Sequence, residues 1–86
     1  MEDIRNAAVD VLGRIAPEIG GRSIDGHADL REQLDLDSMD FLRFVLGLHE
    51  RLRIEVPESD YAQLATLDSA VAYLAIKLGA EPLPTH

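Results

Sequence analysis

Ser38 is the leading candidate for covalent chemistry, because it lies where an amphipathic helical pattern begins. A serine at that position most simply caps the helix by accepting backbone N–H groups. A hydrolase would instead need a general base within hydrogen-bond reach of the hydroxyl. His49 follows eleven residues later on the same helix, roughly 16 Å away, which is too far to serve as that base. His27 lies in the preceding loop and could approach, but nothing near it suggests an oxyanion hole, so we expect no self-contained catalytic triad.

Carboxylates are concentrated just before this helix and in its first turn. Residues 25–40 hold six acidic side chains and one arginine, Arg31, so they carry −5 of the chain's net charge of −8. A calcium loop is a poor match, because the required glycine is missing and Met39 stands at a ligand position. We therefore predict no resident metal ion. Asp37 and Asp40 either stabilise the N-terminus of the helix, which favours negative charge, or take part in recognition.

The overall composition excludes several classes of protein. Sixteen acidic against eight basic side chains in 86 residues argue against nucleic-acid binding, which rewards clustered Lys and Arg. Without a cysteine, the chain has no disulfide, no thiolate metal site and no thiol of its own. The acidic start does not resemble a signal peptide, and no apolar run is long enough to span a bilayer. We expect a monomeric cytoplasmic protein with one domain, residues 1–80, and a flexible tail, residues 81–86.

Three segments with helical periodicity would position these side chains. Apolar residues recur at spacings of three and four over residues 4–15, 38–52 and about 67–78. Thr66 is the expected N-cap of the third helix, and Gly79 is its expected stop. We expect the second helix to have one broad apolar face, which consists of Leu42, Val45, Leu46, His49 and Leu52. Phe41, Phe44 and Leu48 widen this face.

Two connections of unequal length join these helices. Residues 16–37 form a long loop, which we expect to be pinned by its own apolar residues Ile24, Leu30, Leu34 and Leu36. Pro57 suits the first turn of a short helix that buries Tyr61 and Leu64. Residues 51–56 alternate polar and apolar side chains but have no partner strand, so we interpret them as an extended segment that leaves the second helix. The predicted fold is all-α: a small four-helix bundle with three longer helices and one short one.

Residues 29–40 resemble the prosthetic-group attachment region of acyl carrier proteins. That family's hallmark is Asp-Ser-Leu at the start of its second helix, and here the tripeptide is Asp37-Ser38-Met39, with methionine a conservative replacement. The resemblance extends over about residues 4–78. Besides the tripeptide it comprises Leu30 and Leu34 before the motif, Leu42 and Leu46 at the family's inward positions, Val56-Pro57-Glu58 before the third helix, and Thr66-Leu67 with Val71, Tyr73 and Leu74 in the last helix.

The resemblance implies a carrier that is not an enzyme, modified at Ser38. A separate phosphopantetheinyl transferase would esterify Ser38 with 4′-phosphopantetheine from coenzyme A, using Mg²⁺, and Asp37 would help to dock that transferase. The arm would carry acyl groups as thioesters between acyl-transferring or synthase enzymes. The expected recognition surface comprises Met39, Asp40, Leu42 and Arg43. The expected acyl pocket, between the second and last helices, comprises Leu42, Leu46, Leu64, Val71 and Leu74.

Two positions depart from the family's pattern. Asp35 stands where the family commonly has glycine, and Arg43 stands where its recognition helix is usually acidic. Residues 41–56 carry three arginines against two glutamates, a sum of +1, so charge complementarity would select different partners. We therefore favour a specialised fatty-acid, lipid or polyketide pathway. An aminoacyl or aryl carrier, and an unmodified interaction module that keeps the fold, remain the alternatives.

The aromatic residues of the second helix leave a further question open. Consecutive helical residues point about 100° apart, so Met39, Phe41 and Phe44 cannot all face the core. One phenylalanine would then lie exposed beside Ser38 as a docking contact, or line an acyl pocket, while at least one packs in the core.

Overall fold

The computed structural model describes residues 3–17 and 24–80, which form four α-helices and one 3₁₀ helix. The helices are α1 (Ile4–Ile15), α2 (Leu30–Gln33), α3 (Ser38–Leu52) and α4 (Leu67–Ala80), with the 3₁₀ helix Glu58–Leu64 before α4. The all-α fold is confirmed. The predicted tail, residues 81–86, lies outside the described residues.

Helix α1 begins at a side-chain cap and buries one face. Asp3 Oδ1 accepts the backbone N–H of Arg5 at 2.9 Å, which satisfies one of the otherwise unpaired donors of the first turn. The predicted stripe is confirmed at its centre, where Val11 and Leu12 are buried, while Ile4 and Ile15 at its two ends are half-buried.

Helix α2 is a single turn inside the connection that we predicted as a loop. Asp29 Oδ1 caps it by accepting the Glu32 N–H at 3.1 Å. At its other end Asp35 has a φ of 55°, and the Leu36 N–H donates to the Arg31 carbonyl at 2.9 Å. This is the Schellman motif, in which a left-handed residue ends the helix and the next N–H returns to it. The left-handed conformation explains why a glycine would suit position 35.

Helix α3 places different residues in the core from those expected. The buried side chains are Phe41, Phe44, Val45 and Leu48. The prediction that Leu42 and Leu46 face inward was wrong, because both are exposed. Helix α3 carries apolar residues on most of its circumference, so periodicity alone did not fix the buried side. His49 is exposed as well, and its Nδ1 donates to the Ile54 carbonyl at 2.5 Å, which fixes the extended exit.

The 3₁₀ helix and α4 form one packed unit. Thr66 Oγ1 accepts the Ser69 N–H at 3.1 Å, which confirms the predicted cap, although α4 continues beyond Gly79 to Ala80. Leu64 is buried as predicted, while Tyr61 is half-buried. The Tyr73 hydroxyl donates to Asp60 Oδ2 at 2.6 Å and ties the two helices together.

The core lies between α1, α3 and α4, and the loop before α2 is fastened to its edge. Helices α1 and α3 approach closely at Gly47, where an added Cβ would lie 2.5 Å from Val11 Cγ1. Asp68 at the start of α4 accepts from Arg5 Nη1 at 3.2 Å and lies 3.1 Å from His27 Nδ1. Within the described ranges, no helix is both long and apolar enough to cross a membrane.

Candidate functional site

The N-terminus of α3 presents Ser38 without using it as a cap. Asp37 is the N-cap, since its Oδ1 accepts the Asp40 N–H at 2.8 Å. Ser38 is the first helical residue and its side chain is exposed. The simplest interpretation, in which Ser38 itself caps the helix, is therefore wrong. The hydroxyl is left available at the end of the helix where the backbone N–H groups favour negative charge.

No general base is paired with Ser38 in the described part of the chain. The Nδ1 atoms of both histidines there are engaged elsewhere, His49 with the Ile54 carbonyl and His27 with Asp68. Ser38 makes no side-chain hydrogen bond to any residue that the structure describes. Its hydroxyl is thus accessible to another protein but is not activated by any residue that the structure describes.

A surface groove of about 420 Å³ opens beside Ser38, between α3 and the 3₁₀ helix. We call it the Ser38 groove; besides Ser38 it is lined by Asp29, Arg31, Phe41, Leu42, Glu58, Tyr61, Ala62 and Ala65. The Phe41 and Tyr61 rings meet edge to face with centroids 6.1 Å apart, and the Arg31 guanidinium lies 5.8 Å from the Phe41 centroid. Arg31 was not among the expected site residues, although it is the one arginine in the acidic segment 25–40.

The aromatic residues of α3 answer the question that the sequence left open. Phe41 and Phe44 are both buried, with ring centroids 6.3 Å apart, so neither is the exposed docking contact. Met39 is the exposed residue beside Ser38. It begins a row of side chains that we call the apolar stripe: Met39, Leu42 and Leu46, which are 59%, 41% and 57% exposed.

The five residues expected to form an acyl pocket differ in burial. Leu64 and Leu74 are fully buried in the core, and Val71 is half-buried. Leu42 and Leu46 face solvent, where they line two different surface grooves. The expectation assumed an inward orientation of these two leucines, whereas Phe41 and Phe44 are buried in their place.

The charged residues of α3 are partly neutralised by neighbours. Arg43 Nη1 lies 3.3 Å from Asp40 Oδ1, one turn earlier. Arg51 pairs with Asp10 of α1 and holds the pKa of that carboxyl below its ordinary value, mainly through their hydrogen bond. Asp10 lies 41 residues away in the chain, so spacing gave no sign of this contact.

Tyr73 anchors the 3₁₀ helix that forms one wall of the Ser38 groove. Burial raises the pKa of Tyr73 to about 12, and the adjacent Asp60 carboxylate adds to the effect by accepting the hydroxyl's hydrogen bond. Since Glu58, Tyr61 and Ala62 of the same short helix line the groove, this contact fixes the wall next to Ser38. No group of three or more potential ligands able to hold a metal ion occurs among residues 3–17 and 24–80.

Known proteins resemble this chain over most of its length. The family model described as phosphopantetheine attachment site matches residues 2–74. An acyl carrier protein of Campylobacter concisus is 28% identical over 78 residues, which cover 91% of this chain and 94% of that protein. An acyl carrier protein of an Exiguobacterium species is 28% identical over 76 residues, covering 88% and 90%. A mitochondrial acyl carrier protein of Neurospora crassa is 32% identical over 72 residues, which span 76% of this chain but only 54% of that relative.

Proposed function

Because this chain belongs to the acyl carrier protein family, we propose that it holds acyl intermediates as thioesters on a 4′-phosphopantetheine arm attached to Ser38, and presents them to partner enzymes. Proteins of this family are carriers and not catalysts, and their phosphopantetheine-binding domain is the site of covalent attachment of that group. The family also implies contact with a phosphopantetheinyl transferase and with enzymes that handle acyl groups.

The position of Ser38 is the observation that supports this assignment. Its hydroxyl is exposed, and the capping role that would otherwise occupy it belongs to Asp37. A phosphodiester at Ser38 would lie at the positive end of α3, which favours an anion there. The residues present therefore fit the group.

The chain supplies the attachment point, and the transferase supplies the catalysis. In the transfer, Ser38 Oγ would form a bond to the phosphorus of coenzyme A that bears the pantetheine. The phosphoanhydride bond would break, adenosine 3′,5′-bisphosphate would leave, and the serine proton would pass to the transferase. This explains why no base accompanies Ser38 within the described residues. The arm also brings the thiol, which the cysteine-free chain does not contain.

Intact-protein mass spectrometry tests the attachment site. The chain is incubated with coenzyme A, Mg²⁺ and a broad-specificity phosphopantetheinyl transferase, and we expect one phosphopantetheinyl group to be added. Ser38→Ala should abolish the addition, whereas Ser59→Ala, at an exposed serine of the 3₁₀ helix, should leave it intact. No added mass on the unaltered chain, or an addition that survives Ser38→Ala, would contradict the proposal.

Asp37 combines a structural role with the recognition role proposed for it, and two variants separate them. Asp37→Asn keeps a good cap and removes the charge, whereas Asp37→Ala removes both and should cost about 1 kcal/mol of stability. If the carboxylate helps to dock the transferase, Asp37→Asn slows modification while its melting temperature stays near that of the unaltered chain. If Asp37→Asn is modified at the normal rate, Asp37 acts only as the N-cap of α3 and does not help to dock the transferase.

Met39, Asp40, Leu42 and Arg43 form the proposed recognition surface for partner enzymes. Met39 and Leu42 are exposed beside Ser38, so a partner that approaches the arm meets them first. The arginine at position 43 is the reason why we favour a specialised fatty-acid, lipid or polyketide pathway.

The cargo itself distinguishes the remaining alternatives. The protein isolated from its own cells should carry a group whose mass corresponds to phosphopantetheine with a fatty acyl or polyketide unit. A mass that corresponds to an aminoacyl or aryl group would indicate that the protein is a peptidyl-type carrier. A chain without any attached group would indicate an interaction module.

A further inference from the structure

Arg31 brings a positive charge into the Ser38 groove, and it is the one cation among the residues that line it. The arginine belongs to α2, whereas Ser38 begins α3. The Arg31 guanidinium lies 5.8 Å from the centroid of the Phe41 ring. Phe41 follows Ser38 by three residues and so lies on the same side of α3. The guanidinium therefore lies beside the first turn of α3.

The backbone around Arg31 is fixed on both sides. The Arg31 carbonyl accepts the Leu36 N–H at 2.9 Å, and the Leu36 side chain, two residues before Ser38, is buried. On the other side Leu30 is fully buried, and its N–H donates to the Ala65 carbonyl at 2.7 Å. The chain between Arg31 and Ser38 is therefore a compact turn anchored in the core, and not a free loop.

Arg31 makes no ion pair with any residue that the structure describes. An aspartate lies within ion-pair distance of each of four other arginines, Arg5, Arg14, Arg43 and Arg51. The contact of Arg31 is instead with the Phe41 ring, which attracts the cation but accepts no hydrogen bond in the way that a carboxylate does. Its N–H donors thus have no carboxylate acceptor among the described residues.

A phosphodiester on Ser38 would add a negative charge to the most acidic part of the chain. Residues 25–40 already carry −5 of the net charge of −8. Asp37 caps α3 directly before Ser38, and Asp40 lies in the same first turn. Like charges held close together repel one another, so the loaded protein needs a cation nearby to offset this repulsion.

Charge attraction alone would not draw a free anion into the Ser38 groove. Asp29 and Glu58 line it together with Arg31, so its lining carries one positive and two negative charges. The covalent bond to Ser38, however, places the phosphodiester at the groove whatever the charge there. Of the lining residues, only Arg31 offers a positive charge, and its planar fork of N–H donors matches the oxygens of a phosphate.

We propose that Arg31 binds the phosphodiester of the 4′-phosphopantetheine group on Ser38 and holds the attached end of the arm at the Ser38 groove. The proposal rests on the proposed function and adds a binding residue of this chain to it. Without Arg31, the attached phosphodiester would lie among carboxylates with only solvent ions to screen it. Arg31 therefore offsets the electrostatic cost of carrying the group.

A cycle of melting temperatures measures the coupling between Arg31 and the attached group. The unaltered chain and Arg31→Gln are each melted before and after loading by the broad-specificity transferase, with loading confirmed by mass. Comparing the two forms of one variant cancels the structural effect of the substitution, including the lost contact with Phe41. Loading should lower the melting temperature of Arg31→Gln by about 2–6 °C more than that of the unaltered chain, the size expected for an exposed ion pair in a domain of this length. Most of this difference should vanish in salt of about 1 M.

Arg53→Gln is the matched control, because Arg53 is likewise exposed and makes no ion pair with a described residue. It follows α3 at the end opposite Ser38, about 22 Å away along the helix, where salt screens the phosphodiester. Loading should therefore change the melting temperature of Arg53→Gln as it changes that of the unaltered chain.

Arginine labelling gives a local measurement on the unaltered chain. Phenylglyoxal reacts with accessible guanidinium groups, and mass mapping of peptides gives the rate at each arginine. We expect loading to slow the labelling of Arg31 by about threefold, the protection that a surface ion pair gives, and to leave Arg53 unchanged. This protection should be lost in salt of about 1 M, whereas shielding by the bulk of the arm would persist.

The outcomes separate this proposal from the proposed function. Equal effects of loading on the unaltered chain and Arg31→Gln, an equal effect in Arg53→Gln, or a labelling rate of Arg31 that does not fall overturns the role of Arg31. So does protection that high salt does not remove. In each of these cases the loaded mass at Ser38 leaves the carrier function standing. An unaltered chain that accepts no group refutes the carrier function, and the role of Arg31 with it.

Discussion

Removing the Tyr73 hydroxyl should loosen the wall of the Ser38 groove. In Tyr73→Phe the ring remains, but the 2.6 Å hydrogen bond to Asp60 is lost. Bonds to charged groups contribute about 1.5–3 kcal/mol, and this one is only partly buried, so we expect a loss of about 1.5 kcal/mol. For a domain of this size that corresponds to a fall of roughly 6–12 °C in melting temperature. Thermal unfolding followed by circular dichroism measures it.

The effect should be local as well as global. The 3₁₀ helix Glu58–Leu64 loses its link to α4, so its amides should exchange hydrogen about tenfold faster. Tyr61→Phe is the control, because the Tyr61 hydroxyl makes no hydrogen bond to any residue that the structure describes. If Tyr61→Phe is destabilised as much as Tyr73→Phe, the assigned role of the bond is wrong.

The pH dependence gives an independent check of the same contact. The pKa of Tyr73 is raised from 10.0 to about 12 in the folded protein. Its contribution is therefore fully present below pH 10 and is lost as the pH rises through about 12. The stability advantage of the unaltered chain over Tyr73→Phe should shrink over that interval. A constant advantage across it would show that the hydroxyl does not carry the effect.

Three further changes test the scaffold around the site. Gly47→Ala should cost about 1–3 kcal/mol in urea unfolding because its Cβ meets α1, whereas Gly13→Ala, with open space around it, should gain about 0.5–1 kcal/mol. Asp35→Val should cost about 1–2 kcal/mol and Asp35→Gly should cost nothing, because the φ of 55° is left-handed; equal stabilities would refute the strain. The Arg51–Asp10 pair lowers the pKa of the Asp10 carboxyl, so its contribution to stability is present above the ordinary pKa of 3.8 and is lost as the pH falls further; acid titration of Asp10→Asn should lack this loss.

The three longer helices could be predicted because their apolar spacing is regular, and the short one because of its proline. Helix α2 could not, since four residues are too few for a periodic pattern. It is held by the Asp29 cap and by the left-handed residue at position 35. In the sequence, Asp35 is visible only as a departure from the family's glycine, because its left-handed conformation is a property of the fold.

The site was predictable as a motif but not as a geometry. Both Asp37 and Ser38 are good caps, so the sequence did not show which one begins the helix. The buried side of α3 was misassigned because Leu42, Leu46 and the two phenylalanines are all apolar. The close approach of α1 and α3 at Gly47 depends on contacts between distant parts of the chain, which spacing within one helix does not reveal.

The backbone on both sides of Ser38 is anchored in the core. Leu36 and Phe41 are buried two residues before and three residues after it. Moving the serine would pull Leu36 or Phe41 out of the core, and exposing either side chain would cost about 1.5–3 kcal/mol of stability. Ser38 is thus a fixed pivot, and the reach of any group attached there is set by the length of the arm and by the swing of the whole domain.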